Sequence, residues 1–373
     1  MPKKGENIYK RKDKRWEGRY KKGRKETGAI RYGYIYGKSY SEVKERLYTE
    51  KIKYQSLIEL NGESTITYEA YCSEWLERRK IILKKSTYAT YQYKLKKYVF
   101  PYIGNLPLNQ ISRETIQSLI YTWTNHTLQS TTIHVTYQIM KQPLFEAYQE
   151  KMIKKFPCKD VLLPKKQQKK ITSISRREEV LIETQVKKMP LVQTFPVLLG
   201  LKAGLRIGEV AALKWEDIDL KNRIIKVQDT YQRIPTSNGR HKSELLLDAS
   251  KTTRSVRKIP ISQNLYKWLK KGKRKALGPY VCSETQSPRE PRLITYHFHQ
   301  LLKKCGLQNI HFHQLRHTFA TRCLEAQGNI TAISALLGHA SAKMTLDTYT
   351  NADIISLRET ISRKERAEKK RSA

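Results

Sequence analysis

Residues 311–324 read HFHQLRHTFATRCL, and residues 297–303 read HFHQLLK. The two stretches share five letters and then part, with Arg316 standing where the first copy has Leu302. Five of the nine histidines fall between His297 and His317. A metal cluster would account for them, but they lack zinc-finger spacing and Cys305 is the lone thiol nearby. The second copy alone sets a histidine and an arginine three residues apart, His313 and Arg316, on one helical face. His311 points elsewhere, His317 precedes an apolar face at Phe319 and Ala320, and His299 faces Leu302. His297, His299, His311 and His317 therefore read as structural or as contacts to a partner, and no metal or cofactor is expected.

A histidine–arginine pair suits a phosphate, and the composition points the same way. Among 373 residues, 73 are Lys or Arg and 34 are Asp or Glu, a net charge of +39. Self-repulsion on that scale opposes compaction, so a polyanionic partner is expected. Because the charge is spread along the whole chain, the partner read from it is nucleic acid. Hydrophobic residues make up 39% and recur throughout, which fits a folded chain with a polar surface. The five cysteines are odd in number and widely spaced, without CxxC, which fits a reducing cytoplasm. The N-terminus has no apolar leader, and no run approaches the ~18 apolar residues of a membrane span, so no membrane partner is expected.

Outward from the histidine–arginine stretch, the chain reads as three domains in an α+β multidomain arrangement. Residues 1–62 predict a small three-stranded β-sheet plus a helix. In AIRYGYIYG, Tyr32, Tyr34 and Tyr36 alternate with Gly33 and Ile35, and Ser39 with Glu42 forms a capping box for the helix that follows. A basic sheet of this size fits the major groove. Residues 63–163 predict an all-α domain of four helices, with Pro101 and the turn IGNLPLNQIS separating the second from the third. LLPKKQQKKIT (162–172) reads as a linker. Residues 172–373 predict a mixed, mainly helical domain. Within it FPVLLGLKAGLRIGEVAALKW (195–215) reads as mostly helical, RIIKVQDTYQRI and RSVRKIPIS as strands, and 354–369 as a last helix.

Polar residues stand out in several pieces of this third domain. In AGLRIGEVAALKW, Arg206 and Glu209 are three apart and share a helical face, and a buried arginine needs such an acid. ASKTTRSVRKIPI carries Lys251 at a turn into an amphipathic strand, and ALLGHASAKMTLDTYT carries His339 and Tyr349. Taken singly these read as a structural pair, a surface lysine and one of 23 tyrosines. Together they are cationic and donating groups suited to a phosphate whose charge grows in a transition state. No acidic cluster offers to hold Mg²⁺ and no GxxxxGK[ST] loop cradles a nucleotide, so the expected chemistry is phosphoryl transfer to a protein nucleophile.

GLRIGEVAALKW, SKTTRSVRKIPI, HQLRHTFAT and LLGHASAKMTLDTYT, in that order, resemble the catalytic boxes of the tyrosine recombinases. The resemblance covers the third domain. The middle and first domains resemble the SAM-like core-binding and arm-binding domains of integrases from temperate phages and conjugative transposons. It implies that Arg206 and Arg316 grip the scissile phosphate, that Tyr349 attacks phosphorus to form a 3′-phosphotyrosine, and that Lys251 protonates the leaving 5′-oxygen. It further implies that His313 accepts a proton, that His339 donates to the phosphate, and that Glu209 supports. The segment Tyr231–Ala249 is longer than in simpler members and leaves Lys242 competing with Lys251. The implied partners are double-stranded DNA at core and separate arm sites, a homotetramer whose C-terminal helix docks in trans, and DNA-bending or excision factors. Two other readings stay open. A non-catalytic metal-binding regulator would need zinc, and a type IB topoisomerase would relax DNA without exchanging strands between two sites.

Overall fold

The computed structural model describes residues 6–24, 30–61, 66–166, 173–236, 243–249 and 256–338. The chain divides into two units, one within residues 1–168 and 235–242 and the other within 169–234 and 243–373.

The first unit opens with β1 (Ile8–Lys10), β2 (Trp16–Arg24) and β3 (Ile30–Gly37), joined antiparallel in that order, with Glu17 opposite Tyr36 and Arg19 opposite Tyr34. The alternation in β3 does what its period predicts. Gly33 and Ile35 are buried while Tyr34 and Tyr36 are exposed. Helix α1 (Tyr40–Asn61) closes the inner face, where Ile8, Ile35, Val43 and Leu47 form a small core. Its cap differs slightly from the expected box: Ser39 Oγ accepts from the Glu42 N–H, but the Glu42 carboxylate accepts from Lys38 instead of Ser39. On the outer face the guanidinium of Arg19 lies 4.3 Å from the Tyr32 ring centre, and Arg11 and Arg15 approach Tyr36.

Four helices follow: α2 (Tyr68–Arg79), α3 (Lys85–Lys94), α4 (Arg113–Asn125) and α5 (Ser130–Gln149). Pro101 does not end the second of these. The chain continues from Leu95 to Gly104 in wide π-type turns that contain the proline, and the break comes after Gly104. A proline lacks the N–H that a regular turn needs, and a locally widened turn accommodates the loss. This bundle has its own core around Tyr68, Leu95, Val99, Trp123 and Met140. Its buried aromatic side chains satisfy their polar ends. The indole of Trp75 donates to Glu146 at 2.8 Å, that of Trp123 to the Tyr98 carbonyl at 2.9 Å, and the Tyr68 hydroxyl to the Met140 carbonyl at 2.9 Å.

The second unit holds α6 (Arg176–Val186), α7 (Leu191–Ala203), α8 (Ile207–Ala212), β4 (Ile218–Asp219), β5 (Ile224–Val227), β6 (Asp229–Pro235), β7 (Ser243–Ala249), β8 (Arg257–Pro260), α9 (Gln263–Lys273), α10 (Pro291–Lys304), α11 (Phe312–Glu325) and α12 (Ile330–Leu337). Strands β4, β5 and β8 form one antiparallel sheet, and β6 with β7 a second. The longer segment noted in the sequence is therefore largely strand. The core runs through α7, β5, β8, α10 and α11 and includes Phe195, Leu199, Ile225, Ile259, Phe298 and Leu315. Both HFHQL copies are helical, the first inside α10 and the second opening α11. The expected last helix at 354–369 lies outside the described residues.

Candidate active site

The site is built where helices end. The apolar run of α7 stops at Gly204, whose φ of +65° is the left-handed conformation that glycine takes without a Cβ penalty. Helix α12 stops the same way at Gly338, φ +64°. Each such end turns backbone carbonyls outward with no partner in the helix, and these carbonyls sit at the negative end of the helix dipole.

Arginines occupy those carbonyls. Arg316, on α11 and only 2% exposed, donates from Nη1 to the Gly204 carbonyl at 2.7 Å and from Nη2 to the Leu337 carbonyl at 2.5 Å. Arg206 donates from Nη2 towards the Gly338 carbonyl at 3.4 Å. Arg257, on β8, donates from Nε to the Leu336 carbonyl at 2.7 Å. Three consecutive carbonyls of α12 thus each receive a different arginine, one from the α7–α8 junction, one from β8 and one from α11.

One carboxylate threads through this cluster. Arg206 was expected to share a helical face with Glu209, but the Gly204 break moves it to the N-cap of α8, with Glu209 at the third helical position. There Glu209 reaches back and accepts from the Arg206 backbone N–H at 2.9 Å and from Arg206 Nη1 at 2.8 Å. Arg257 grips the same carboxylate with both arms of its fork, at 3.0 and 2.8 Å. Burial pushes the Glu209 carboxyl up, but the Arg257 hydrogen bonds and charge, joined by Arg206, outweigh it and hold the pKa at about 2. Glu209 is therefore ionised at any pH near neutral. Arg206 keeps more than a third of its side chain open to solvent, whereas the Arg257 side chain is 5% exposed.

His313, one turn before Arg316, presents an exposed edge. Desolvation of the rest of its ring, then the charges of Arg316 and Arg206, lower its pKa below the ordinary 6.5, with Glu209 pulling weakly the other way. These influences favour the neutral imidazole. His317 is buried and meets the His313 ring edge-on, centroids 4.7 Å apart, and His299 on α10 is exposed.

Of the residues singled out in the sequence, the structure brings together Arg206, Glu209, His313 and Arg316. Lys251 and its rival Lys242, His339 and Tyr349 lie outside the described residues. The reading of the sequence missed Arg257, although its signal is visible. In RKIPI, Arg257 shares strand parity with the buried Ile259 and Ile261, while Lys258 points out. An arginine on the core parity of a strand needs an acid. Among the described residues no group of three or more His, Cys, Asp or Glu is placed to hold a metal ion, and no helix is long and apolar enough to cross a membrane.

Comparison with known proteins places this geometry. A family model described as the phage integrase family matches residues 161–354, and one described as the phage integrase N-terminal SAM-like domain matches residues 67–124. A tyrosine recombinase XerC-like protein of Caldanaerobacter subterraneus is 26% identical over 361 residues, covering 88% of this chain and 90% of that protein. Among solved structures, the integrase of transposon Tn1549 in complex with a circular intermediate DNA superposes with a TM-score of 0.67 at 20% identity, over 80% of this chain and 99% of that one. A lambda integrase tetramer bound to a Holliday junction superposes with a TM-score of 0.60 at 17% identity, over 94% of this chain and 97% of that one.

Proposed function

This chain belongs to the phage integrase family, and on that premise we propose that it is a site-specific DNA recombinase that integrates and excises a mobile element through a 3′-phosphotyrosine. It is an enzyme that breaks and rejoins DNA. One observation carries the assignment of roles. Arg206 and Arg316, far apart in sequence, end on adjacent carbonyls of α12, Gly338 and Leu337, immediately before His339.

Arg206 meets the scissile phosphate from the open side and Arg316 from beneath, and His339 adds a donor. Their fixed N–H groups face the negative charge that develops on the non-bridging oxygens as phosphorus becomes five-coordinate. Tyr349 Oη forms the new P–O bond and passes its proton to His313, which the neighbouring cations keep neutral and able to accept it. The 5′-oxygen leaves with a proton from Lys251, the choice over Lys242. The phosphotyrosine conserves the energy of the phosphodiester, so a 5′-hydroxyl of the partner strand reverses the step without ATP. No metal ion is assigned to it.

Residues 1–62 act as the arm-type DNA-binding domain, 63–163 as the core-binding domain and 172–373 as the catalytic domain. The tetramer of the lambda neighbour supports a homotetramer on two duplexes, with the helix near residues 354–369 docking on the next protomer and accessory bending or excision factors setting direction. The place of action is the DNA of the cytoplasm, on the nucleoid.

The test is a nicked attachment-site duplex that sheds a short 5′-hydroxyl fragment on cleavage, run without metal. The wild-type chain should become covalently trapped. Tyr349→Phe should bind the duplex and never trap, and an adduct with that variant would sink the nucleophile assignment.

A further inference from the structure

We propose that Arg257 is a positioning residue of the strand-cleaving centre: by holding both oxygens of Glu209 and the Leu336 carbonyl, it sets the aim of Arg206 and the place of the α12 end that leads into His339. The inference rests on the cleavage reading above and extends it to a residue outside the boxes' catalytic set.

Three observations carry it. First, all three guanidinium nitrogens of Arg257 donate within the protein, to the Leu336 carbonyl and to both Glu209 oxygens, and each of these groups meets another arginine or flanks one that does. Second, Glu209 is the shared partner. Its Oε1 accepts from both Arg206 Nη1 and Arg257 Nη1, and its Oε2 from the Arg206 backbone and Arg257 Nη2. A buried carboxylate with a single cationic partner would draw that partner onto itself. With Arg257 bidentate on it, Glu209 orients Arg206 without claiming the whole fork. Third, Arg257 reaches Leu336, Arg316 reaches Leu337 and Arg206 reaches Gly338, so the α12 terminus is fixed from three sides. That terminus runs directly into His339, and an error of about 1 Å in such a placement can cost about 10²-fold in rate.

A second consequence separates positioning from mere packing. The groups facing Glu209 are Arg206, Arg257 and, more weakly, His313. Arg257 is the largest of the influences that lower the Glu209 pKa, and burial is the largest influence of all, acting upward. Without Arg257 the balance tips upward and Glu209 takes up a proton at a higher pH. The protonated acid cannot orient Arg206 as an ion. Cleavage should then acquire an acid-side decline at a pH where the wild type has none.

The experiment uses the full chain and the nicked duplex that the wild type traps. Arg257→Ala should bind the duplex with unchanged affinity at fixed salt but trap about 10- to 100-fold more slowly, the usual cost of losing a group that orients a catalytic residue. Arg257→Lys, which keeps the charge and loses the fork, should fall between, and added guanidinium should speed the alanine variant. The acid limb of the trapping rate should move to higher pH in both. A wild-type rate in either variant overturns the proposal. So does a slow alanine variant that neither guanidinium nor lysine improves and whose acid limb stays in place, because that is the signature of a packing role. Should the alanine variant fail to fold, Arg257→Lys decides alone: slow trapping with a shifted acid limb supports the positioning role, and a wild-type rate and profile refutes it. Failure of the wild type itself to trap would bring down the cleavage reading, and this inference with it. Equal trapping by wild type and variant brings down only the inference.

Discussion

The outer face of the β1–β3 sheet and the end of α12 are both built from arginines, and they use them in opposite ways. At the sheet, Arg11 and Arg15 reach Tyr36 from the β1–β2 turn with exposed side chains paired to Glu17 and Asp13, and Arg19 on β2 lies half-buried over Tyr32. At α12, Arg257 and Arg316 are buried and bonded to carbonyls or a carboxylate. An exposed guanidinium keeps its hydration and is screened by salt, so each is worth little alone and its value lies in number and reach. A buried one is stable only because every bond has been supplied in advance, and removing it strands its partners. The first arrangement can slide over a polyanion. The second can hold one phosphate in one geometry, and only the second is expected to show large effects from single substitutions.

The largest effect should come from Arg316→Ala. It strands the Gly204 and Leu337 carbonyls, at about 1–3 kcal/mol for each buried group left unpaired. On the proposed reading it also removes a donor of the oxyanion-hole kind, worth about 10²–10³ in rate. Trapping should fall by that factor among molecules that remain folded, and the melting temperature should drop. A folded variant that traps at the wild-type rate would erase the distinction between the two regions.

Why the sequence yielded one region so readily and half of the other follows from what each depends on. The sheet rests on local periodicity: three tyrosines at alternate positions and a basic strand beside them are enough to predict an exposed face, and β3 has it. The Arg206–Glu209 pairing was also legible from a spacing of three, though for an incomplete reason. The two do not sit on one helical face; Glu209 caps backward onto Arg206 because Gly204 ends α7 just before it. The expected break between the second and third helices falls in the turn IGNLPLNQIS but after Pro101, since a proline marks a lost hydrogen bond and not the geometry that absorbs the loss. The convergence of three arginines on α12 was not legible, because it depends on the meeting of β8, α11 and the α7–α8 junction, which no local pattern encodes. Arg257 illustrates the point: its parity hinted at burial, but its partner lies in another box.

An intermediate effect concerns pH and separates the buried cluster by sign. On the proposed reading, His313 must be neutral to accept the tyrosine proton. Its pKa is lowered by desolvation, then by Arg316 and Arg206, so the neutral form persists to lower pH than for a free imidazole. On that reading, the acid-side decline of the single-turnover trapping rate should therefore lie at lower pH than a free imidazole would give. In Arg206→Ala, where one of those cations is gone, the decline should begin at higher pH on top of a slower rate. A wild-type acid limb whose midpoint lies above that of a free imidazole would remove His313 as the proton acceptor. Glu209 leaves a parallel mark on stability. Its folded pKa of about 2 lies below the ordinary 4.5, so its contribution is complete above 4.5 and is lost as pH falls towards 2. Acid unfolding in that window should be blunted in Glu209→Gln.

The smallest effect is expected on the sheet and tests the comparison from its other side. Arg19 is half-buried against Tyr32, and its charge is one of many on that face. Arg19→Ala should weaken binding to a duplex carrying the arm site and reduce the slope of log affinity against log salt by about one unit, the signature of a single lost phosphate contact. It should leave trapping on an isolated core site untouched, because the sheet contributes reach and not the geometry of the phosphate. A loss of trapping on that core-only duplex would mean that the outer face feeds the catalytic step, and that the two uses of arginine are coupled in this chain instead of separate. A salt slope that does not change would mean that Arg19 serves to hold Tyr32 in place, leaving the phosphate contacts to other cations such as Lys21 on the same strand.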